Sequence, residues 1–339
     1  MARTHGRNDG STIPKPADPR LRREPLPWQR PKPGDEDPDA PARVRAIVAS
    51  LGYRQADHDL DFLARYETRG VRLQIDYQKA ELSLEGRGVR HTIVVFGSTR
   101  IPEPQAADSK VQQLEAQLAV APHDEALRRH LAAALRIREK SRYYDVARDL
   151  GRLVGSASAR NGDCRLLLMT GGGPGIMEAA NRGAYDAGGR SIGLNISLPH
   201  EQYPNPYVTP EFCFSFHYFA LRKLHFLLRT KALVAFPGGY GTLDELFETL
   251  TLIQTRKIKP VPVVLIGEEY WRRAVDIDFL AAEGVIDEED RELFWYAETA
   301  QQAWEGILQW HLNNGTPLLP GESRDAQPGT EAGPVRREF

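Results

Sequence analysis

Ala232-Leu233-Val234-Ala235-Phe236-Pro237-Gly238-Gly239-Tyr240-Gly241-Thr242-Leu243-Asp244-Glu245 is the stretch that decides the fold. Its first five residues form an unbroken apolar run, the pattern of a strand buried on both faces of a parallel sheet. Downstream, Leu246-Phe247-Glu248-Thr249-Leu250-Thr251-Leu252-Ile253 repeats its apolar residues at helical spacing. The glycines therefore sit in a turn between strand and helix, at the carboxyl end of the strand, where open α/β sheets bind ligands. Backbone N–H groups and a helix amino end at such a turn suit an anion, a phosphate above all.

Two more units of this kind lie upstream. Thr92-Ile93-Val94-Val95-Phe96 runs into Gly97-Ser98, and Leu166-Leu167-Leu168-Met169-Thr170 runs into Gly171-Gly172-Gly173-Pro174-Gly175. Ser191 to Asn195 and Lys259 to Gly267 read as further strands. Together they predict an α/β fold, a doubly wound parallel sheet of Rossmann-like type. Dinucleotide binding fits poorly: Gly171, Gly173 and Gly175 do not match Gly-x-Gly-x-x-Gly, and no acid stands about 20 residues on. Phe214 to Lys231 reads as one helix, with Tyr218, Arg222, His225 and Arg229 in a polar stripe. That stripe is either solvated or turned toward an anion.

The motif Pro237 to Glu245, with Arg222-Lys223 at its spacing upstream, resembles the LONELY GUY (LOG) family of nucleotide phosphoribohydrolases. The resemblance runs from about Thr92 to Gly267, with an insertion, and older annotation labelled this family "possible lysine decarboxylase". It implies hydrolysis of the N-glycosidic bond of AMP or an N6-modified, cytokinin-type AMP to free base and ribose 5-phosphate. Glu245 and Arg222 are then the catalytic residues. Gly97, Ser98, Gly172, Gly173, Lys223, Gly238, Gly239, Tyr240, Gly241 and Thr242 bind substrate or its phosphate, and Glu201 approximately matches a substrate-contacting glutamate. The resemblance also implies a homodimer or larger homo-oligomer.

Simpler readings stand beside these. Thr242-Leu243-Asp244-Glu245 fits a capping box, which alone accounts for both end residues. A Gly-Ser pair after a strand is an ordinary turn, and Glu201 also reads as a solvated loop acid. Related molybdenum-cofactor carriers bind without cleaving, and a broad purine and pyrimidine nucleotide nucleosidase remains an alternative. Decarboxylation by pyridoxal phosphate would need a Schiff-base lysine, and no local pattern singles one out. No cofactor is expected.

Across 339 residues the formal net charge is −2, which gives no nucleic-acid footprint. No apolar run reaches the roughly 20 residues of a membrane helix, and the amino terminus lacks an apolar signal core. The expected setting is the cytoplasm, with Cys164 and Cys213 as buried free thiols and no metal site. Residues 1–42, rich in proline and mixed charge, read as a disordered arm. Residues 43–90 read as a small helical subdomain, with Val44, Ile47, Val48 and Leu51 on one helix face and Val71 to Leu84 ambiguous. Residues 91–312 form the Rossmann-like domain, interrupted over about 104–140 by two helices broken at Pro122. Residues 313–339 read as a disordered tail.

Overall fold

The computed structural model describes residues 30–161, 165–198 and 203–319. The chain divides into two compact units, one ending at Val71 and the other starting at Arg72. Cys164, Glu201, most of the expected arm and most of the expected tail lie outside the described residues.

The first unit holds α1 (Ala40–Val48) and the single-turn α2 (Leu60–Leu63), joined by short 3-10 turns. Asp59 caps α2 by accepting the Phe62 N–H at 3.1 Å. The expected face of α1 is not buried: Ile47, Val48 and Leu51 are all exposed.

In the second unit α3 (Arg69–Gly86), which begins just before the boundary, resolves the ambiguous stretch as a helix. Then follow β1 (His91–Phe96), α4 (Pro104–Val120), α5 (Glu125–Lys140), α6 (Arg142–Asn161), β2 (Leu166–Thr170), α7 (Ile176–Asp186), β3 (Ser191–Ile196) and β4 (Cys213–Phe216). The chain continues through α8 (Phe219–Leu228), β5 (Thr230–Ala235), α9 (Tyr240–Gln254), β6 (Val263–Ile266), α10 (Glu268–Ala274), α11 (Ile277–Ala282), β7 (Trp295–Ala297) and α12 (Ala300–Asn313). The seven strands form one sheet in the order β4-β3-β2-β1-β5-β6-β7, and every neighbouring pair is parallel. This is the expected doubly wound α/β architecture.

Alternation along the strands builds a core on each face. Ile93, Val95, Leu168 and Val234 pack with Leu150 and Val154 of α6, Ala180 of α7 and Ile307 of α12. Val94, Phe96, Leu167 and Leu233 face the other way, onto Leu84 of α3, Phe226 of α8 and Leu246 and Ile253 of α9. The central strands β1, β2, β5 and β6 are almost wholly buried, which is why they carry unbroken apolar runs in the sequence.

One expectation along the chain changes. The single helix over Phe214 to Lys231 is instead β4, α8 and the start of β5. Phe214 and Phe216 are buried while Ser215 between them is exposed, the period-2 burial of a strand with one covered face. Beyond β6, the helices α10, α11 and α12 are interrupted by the edge strand β7. With β4 counted, the Val263 strand is the sixth in chain order. The insertion is two helices, α4 and α5, parted around Pro122 as expected.

Candidate functional site

From β1 the chain crosses to β2 on one side and later returns to β5 on the other, so strand order reverses between β1 and β5. A crevice at the carboxyl ends of two such strands is where open α/β sheets place their ligands. Gly97-Ser98 and Pro237-Gly238 both leave the sheet at this point. Ser98 N–H donates to the Pro237 carbonyl at 3.0 Å, and Ile176 N–H at the start of α7 donates to the Ser98 carbonyl at 3.2 Å. The turns after β1, β2 and β5 are thus joined by backbone.

The glycine turn after β2 owes its shape to two residues with positive φ, Gly172 at 70° and Gly175 at 72°. A Cβ at Gly172 would also stand 2.1 Å from Asn195 Oδ1, and one at Gly175 2.4 Å from the Ser98 carbonyl oxygen. Buried amides hold this turn in place. Asn205 N–H donates to the Gly172 carbonyl at 2.8 Å, and Asn205 Nδ2 donates to the Gly173 carbonyl and to Asn181 Oδ1, both at 3.0 Å. Thr170 Oγ1 donates to Asn181 Oδ1 at 2.7 Å and accepts the Gly172 N–H at 2.9 Å.

The turn after β5 is built differently. Gly239, extended at φ −98° and ψ −151°, is the cap of α9, and no side chain caps it. The capping box read from the sequence does not form: Thr242 lies at the third helical position, and Glu245 one turn further in. Thr242 is buried against Gly238 instead, where a Cβ would meet Thr242 Oγ1 at 2.1 Å. Tyr270 of α10 donates its hydroxyl to the Gly238 carbonyl at 2.5 Å. The first N–H groups of α9 lack intrahelical acceptors, so with the helix dipole this end favours negative charge. Nothing stands within 4 Å of a Cβ added at Gly239 or Gly241, and the Tyr240 side chain is exposed.

Behind the turn, α8 and α9 bring a cation and an acid together. Arg222 Nη2 is 4.0 Å from Glu245 Oε1, with the two side chains 14% and 4% exposed. The Arg222 guanidinium lies 4.6 Å over the Phe219 ring. Arg222 Nε and Glu245 Oε1 are buried without a hydrogen-bond partner. Burial pushes the Glu245 pKa up from 4.5 to about 7, although the nearby charges of Lys223 and Arg222 pull it down. Burial likewise lowers the Arg222 pKa against the opposing pull of Glu245 and Asp244. Lys223 Nζ lies 2.9 Å from Asp244 Oδ1 and 3.1 Å from Glu248 Oε2. Burial lowers the Lys223 pKa, but its hydrogen bonds to those two acids outweigh that and raise it.

Arg222, Lys223, Thr242 and Glu245 are therefore gathered by α8 and α9, Tyr240 and Gly241 open α9, and Gly97, Ser98, Gly172, Gly173, Gly238 and Gly239 belong to the joined turns. The expected polar stripe does not hold together. His225 and Arg229 are buried away from the glycine turn, hydrogen-bonded to Tyr77 and Glu81 of α3. A cavity of about 640 Å³ lined by Arg272, Asp278, Arg291 and Tyr296 includes none of the expected site residues.

The family described as "Possible lysine decarboxylase" matches residues 177–307. Cytokinin riboside 5'-monophosphate phosphoribohydrolase LOG3 of Arabidopsis thaliana is 32% identical over 167 residues, covering 48% of this chain and 74% of that protein. The chain belongs to the LOG family. A second relative, the probable cytokinin riboside 5'-monophosphate phosphoribohydrolase LOGL3 of Oryza sativa subsp. japonica, is 30% identical over 182 residues, covering 50% of this chain and 78% of that protein. Among solved structures, the Moco carrier protein from Chlamydomonas reinhardtii is 22% identical with a TM-score of 0.38, covering 65% of this chain and 96% of that one.

Within this LOG chain, sequence reasoning missed Thr170, Asn181, Asn205 and Tyr270 as supports of the glycine turns. Asn205 stands before a proline, which marks only a turn, and its partners lie as far as 33 residues away. The signal available was the residue type: an Asn before a proline in an irregular stretch is a candidate to hydrogen-bond nearby backbone.

Proposed function

We propose that this chain is a nucleoside 5′-monophosphate phosphoribohydrolase, cleaving AMP or an N6-modified AMP into free base and ribose 5-phosphate. The observation that carries the reading is the Glu245 carboxylate: buried, unpartnered at Oε1, 4.0 Å from Arg222 and one helical turn behind a glycine loop. A carboxylate buried at that cost is unusual without chemistry to perform. The names of the LOG relatives point to the same bond.

The substrate's 5′-phosphate sits against the first N–H groups of α9, among Gly238, Gly239, Gly241 and Thr242, with Ser98, Gly172 and Gly173 beside it. Arg222 holds the sugar phosphate with a planar fork of donors, and Lys223 adds charge. As the C1′–N bond breaks, its electron pair leaves with the base and positive charge grows at C1′. Ionised Glu245 stabilises that charge and accepts a hydrogen bond from the attacking water, whose oxygen bonds to C1′. The water's proton passes to Glu245, which gives it up to solvent afterwards, and the departing base takes a proton from solvent at the nitrogen that held the sugar, so one water is consumed and Glu245 is restored to its ionised form.

Comparing AMP with adenosine tests the reading. Release of base from AMP, with adenosine cleaved at least about a hundredfold more slowly in kcat/KM, is the expected result if phosphate binding aligns the sugar. Equal cleavage of both would refute the assigned phosphate site.

A further inference from the structure

Helix α3 grips α8 at three levels. At the amino end of α8, the Asp76 carboxylate accepts the backbone N–H groups of His217 at 3.1 Å and Tyr218 at 2.9 Å, and Arg72 Nε donates to the Tyr218 hydroxyl at 3.1 Å. Midway, the Tyr77 carbonyl accepts a hydrogen bond from His225 Nε2 at 3.1 Å, and the two rings stack with centroids 5.1 Å apart. A carbonyl only accepts, so Nε2 carries the proton in this pair. At the carboxyl end, Glu81 accepts from both terminal nitrogens of Arg229, at 2.7 and 2.8 Å, while Arg229 Nε donates to the Val89 carbonyl at 3.2 Å. Both side chains of this fork are buried.

Alone, α8 is a poor helix. It spans 10 residues, and the side chain of its cap, Tyr218, accepts none of the helix's own backbone N–H groups. Helices this short are marginal without outside support. Asp76 supplies the missing acceptor, placing negative charge at the amino end, and Arg229 places positive charge at the carboxyl end. Arg229 follows the last residue of α8 as its carboxyl cap and meets Glu81 of α3, while Arg222, in the first half of the helix, meets Glu245 of α9. Both ends of α8 are thus tied to α3, and Arg222 is presented to Glu245 from between the two ties.

We propose that Asp76 and Glu81 of α3 are positioning residues for Arg222, fixing both ends of α8 so that the guanidinium stands against Glu245. The inference rests on the role given to Arg222 above. It assigns work to a helix that precedes β1 and the whole of residues 177–307 matched by the family. Neither Asp76 nor Glu81 touches the reacting atoms; both act through α8.

A double-mutant cycle on the full chain tests this. Asp76→Asn and Glu81→Gln keep shape and remove charge, and each is combined with Arg222→Ala. Both kcat for AMP and the dissociation constant of AMP are measured, with melting temperature as the check on folding. Each single change is expected to lower kcat or AMP affinity about tenfold or more with Arg222 present, and by less than about twofold with Arg222→Ala. Equal losses in both backgrounds, or no loss with Arg222 present, would overturn the proposal. If Glu81→Gln fails to fold, the Asp76→Asn cycle decides alone. A wild-type protein that binds AMP without cleaving it would sink the hydrolase reading, while the cycle in dissociation constants still judges the grip. If it neither binds nor cleaves any monophosphate, both fall, since Arg222 then has no nucleotide to hold.

Discussion

Replacing Glu245 by glutamine should make the protein more stable at alkaline pH than at acid pH, relative to wild type. The carboxylate is 4% exposed, and burial raises its pKa from 4.5 to about 7. Between those values the folded chain holds a proton that the unfolded chain has lost. Stability contributed by Glu245 is therefore present below pH 4.5, declines as pH rises, and is fully lost above 7. At about 1.4 kcal/mol per pKa unit, the ionised group costs the folded state about 3 kcal/mol, of which about 2.5 kcal/mol accrues between pH 5 and pH 8. Glutamine mimics the neutral acid at every pH, and the attraction of Arg222 for the ionised form is already contained in the folded-state pKa. Urea unfolding followed by tryptophan fluorescence at pH 5, 6, 7 and 8 gives the comparison. The advantage of Glu245→Gln over wild type should grow by about 2.5 kcal/mol from the lowest to the highest pH. A difference that stays flat within about 0.5 kcal/mol, or shrinks with pH, would refute the claim that burial strains this carboxylate.

The same ionisation should appear in catalysis: kcat/KM for AMP, which reports the free enzyme, rises with pH through an acid limb near 7. Lys223→Met removes a charge that lowers the Glu245 pKa and should move that limb upward, whereas ionisation of the substrate phosphate, at about 6, stays put. An unmoved limb would mean another group controls it. Tyr270→Phe removes only the hydroxyl that holds the Gly238 carbonyl. Steady-state kinetics should show KM for AMP raised about two- to tenfold with kcat little changed, the worth of one hydrogen bond. Gly238→Ala drives a methyl into Thr242 Oγ1 and should abolish phosphate protection of the fold in thermal melts with inorganic phosphate; retained protection would argue against the loop as the anion site.

Much of the sheet was legible because burial on both faces leaves a plain record: β1, β2 and β5 carry apolar runs ending at turn residues. β4 was not, because four residues ending two positions before α8 merge with that helix's apolar face into one pattern. The glycine turns were legible for the same reason as the strands, since Gly172, Gly175 and Gly238 stand where a Cβ has no room. Thr242 to Glu245 misled in a specific way. The residue types of a capping box are present, but Gly239 starts the helix earlier and carries both residues inside it. Whether a glutamate caps a helix or lies buried behind one depends on the packing of α8 against α9, which no local pattern encodes. The Asp76 and Glu81 contacts to α8 are further from reach, bridging 141 to 148 residues.

The central claim is that Arg222 and Glu245 cleave the glycosidic bond of a nucleoside monophosphate. Its most direct test is ribose 5-phosphate release from AMP, an N6-prenylated AMP and the other common monophosphates by wild type, Arg222→Ala and Glu245→Ala. Turnover of at least one adenine monophosphate, lowered about a hundredfold or more in each variant while AMP still binds Glu245→Ala, is the predicted result. Turnover undiminished in Glu245→Ala, or absent from wild type on every monophosphate, would contradict it.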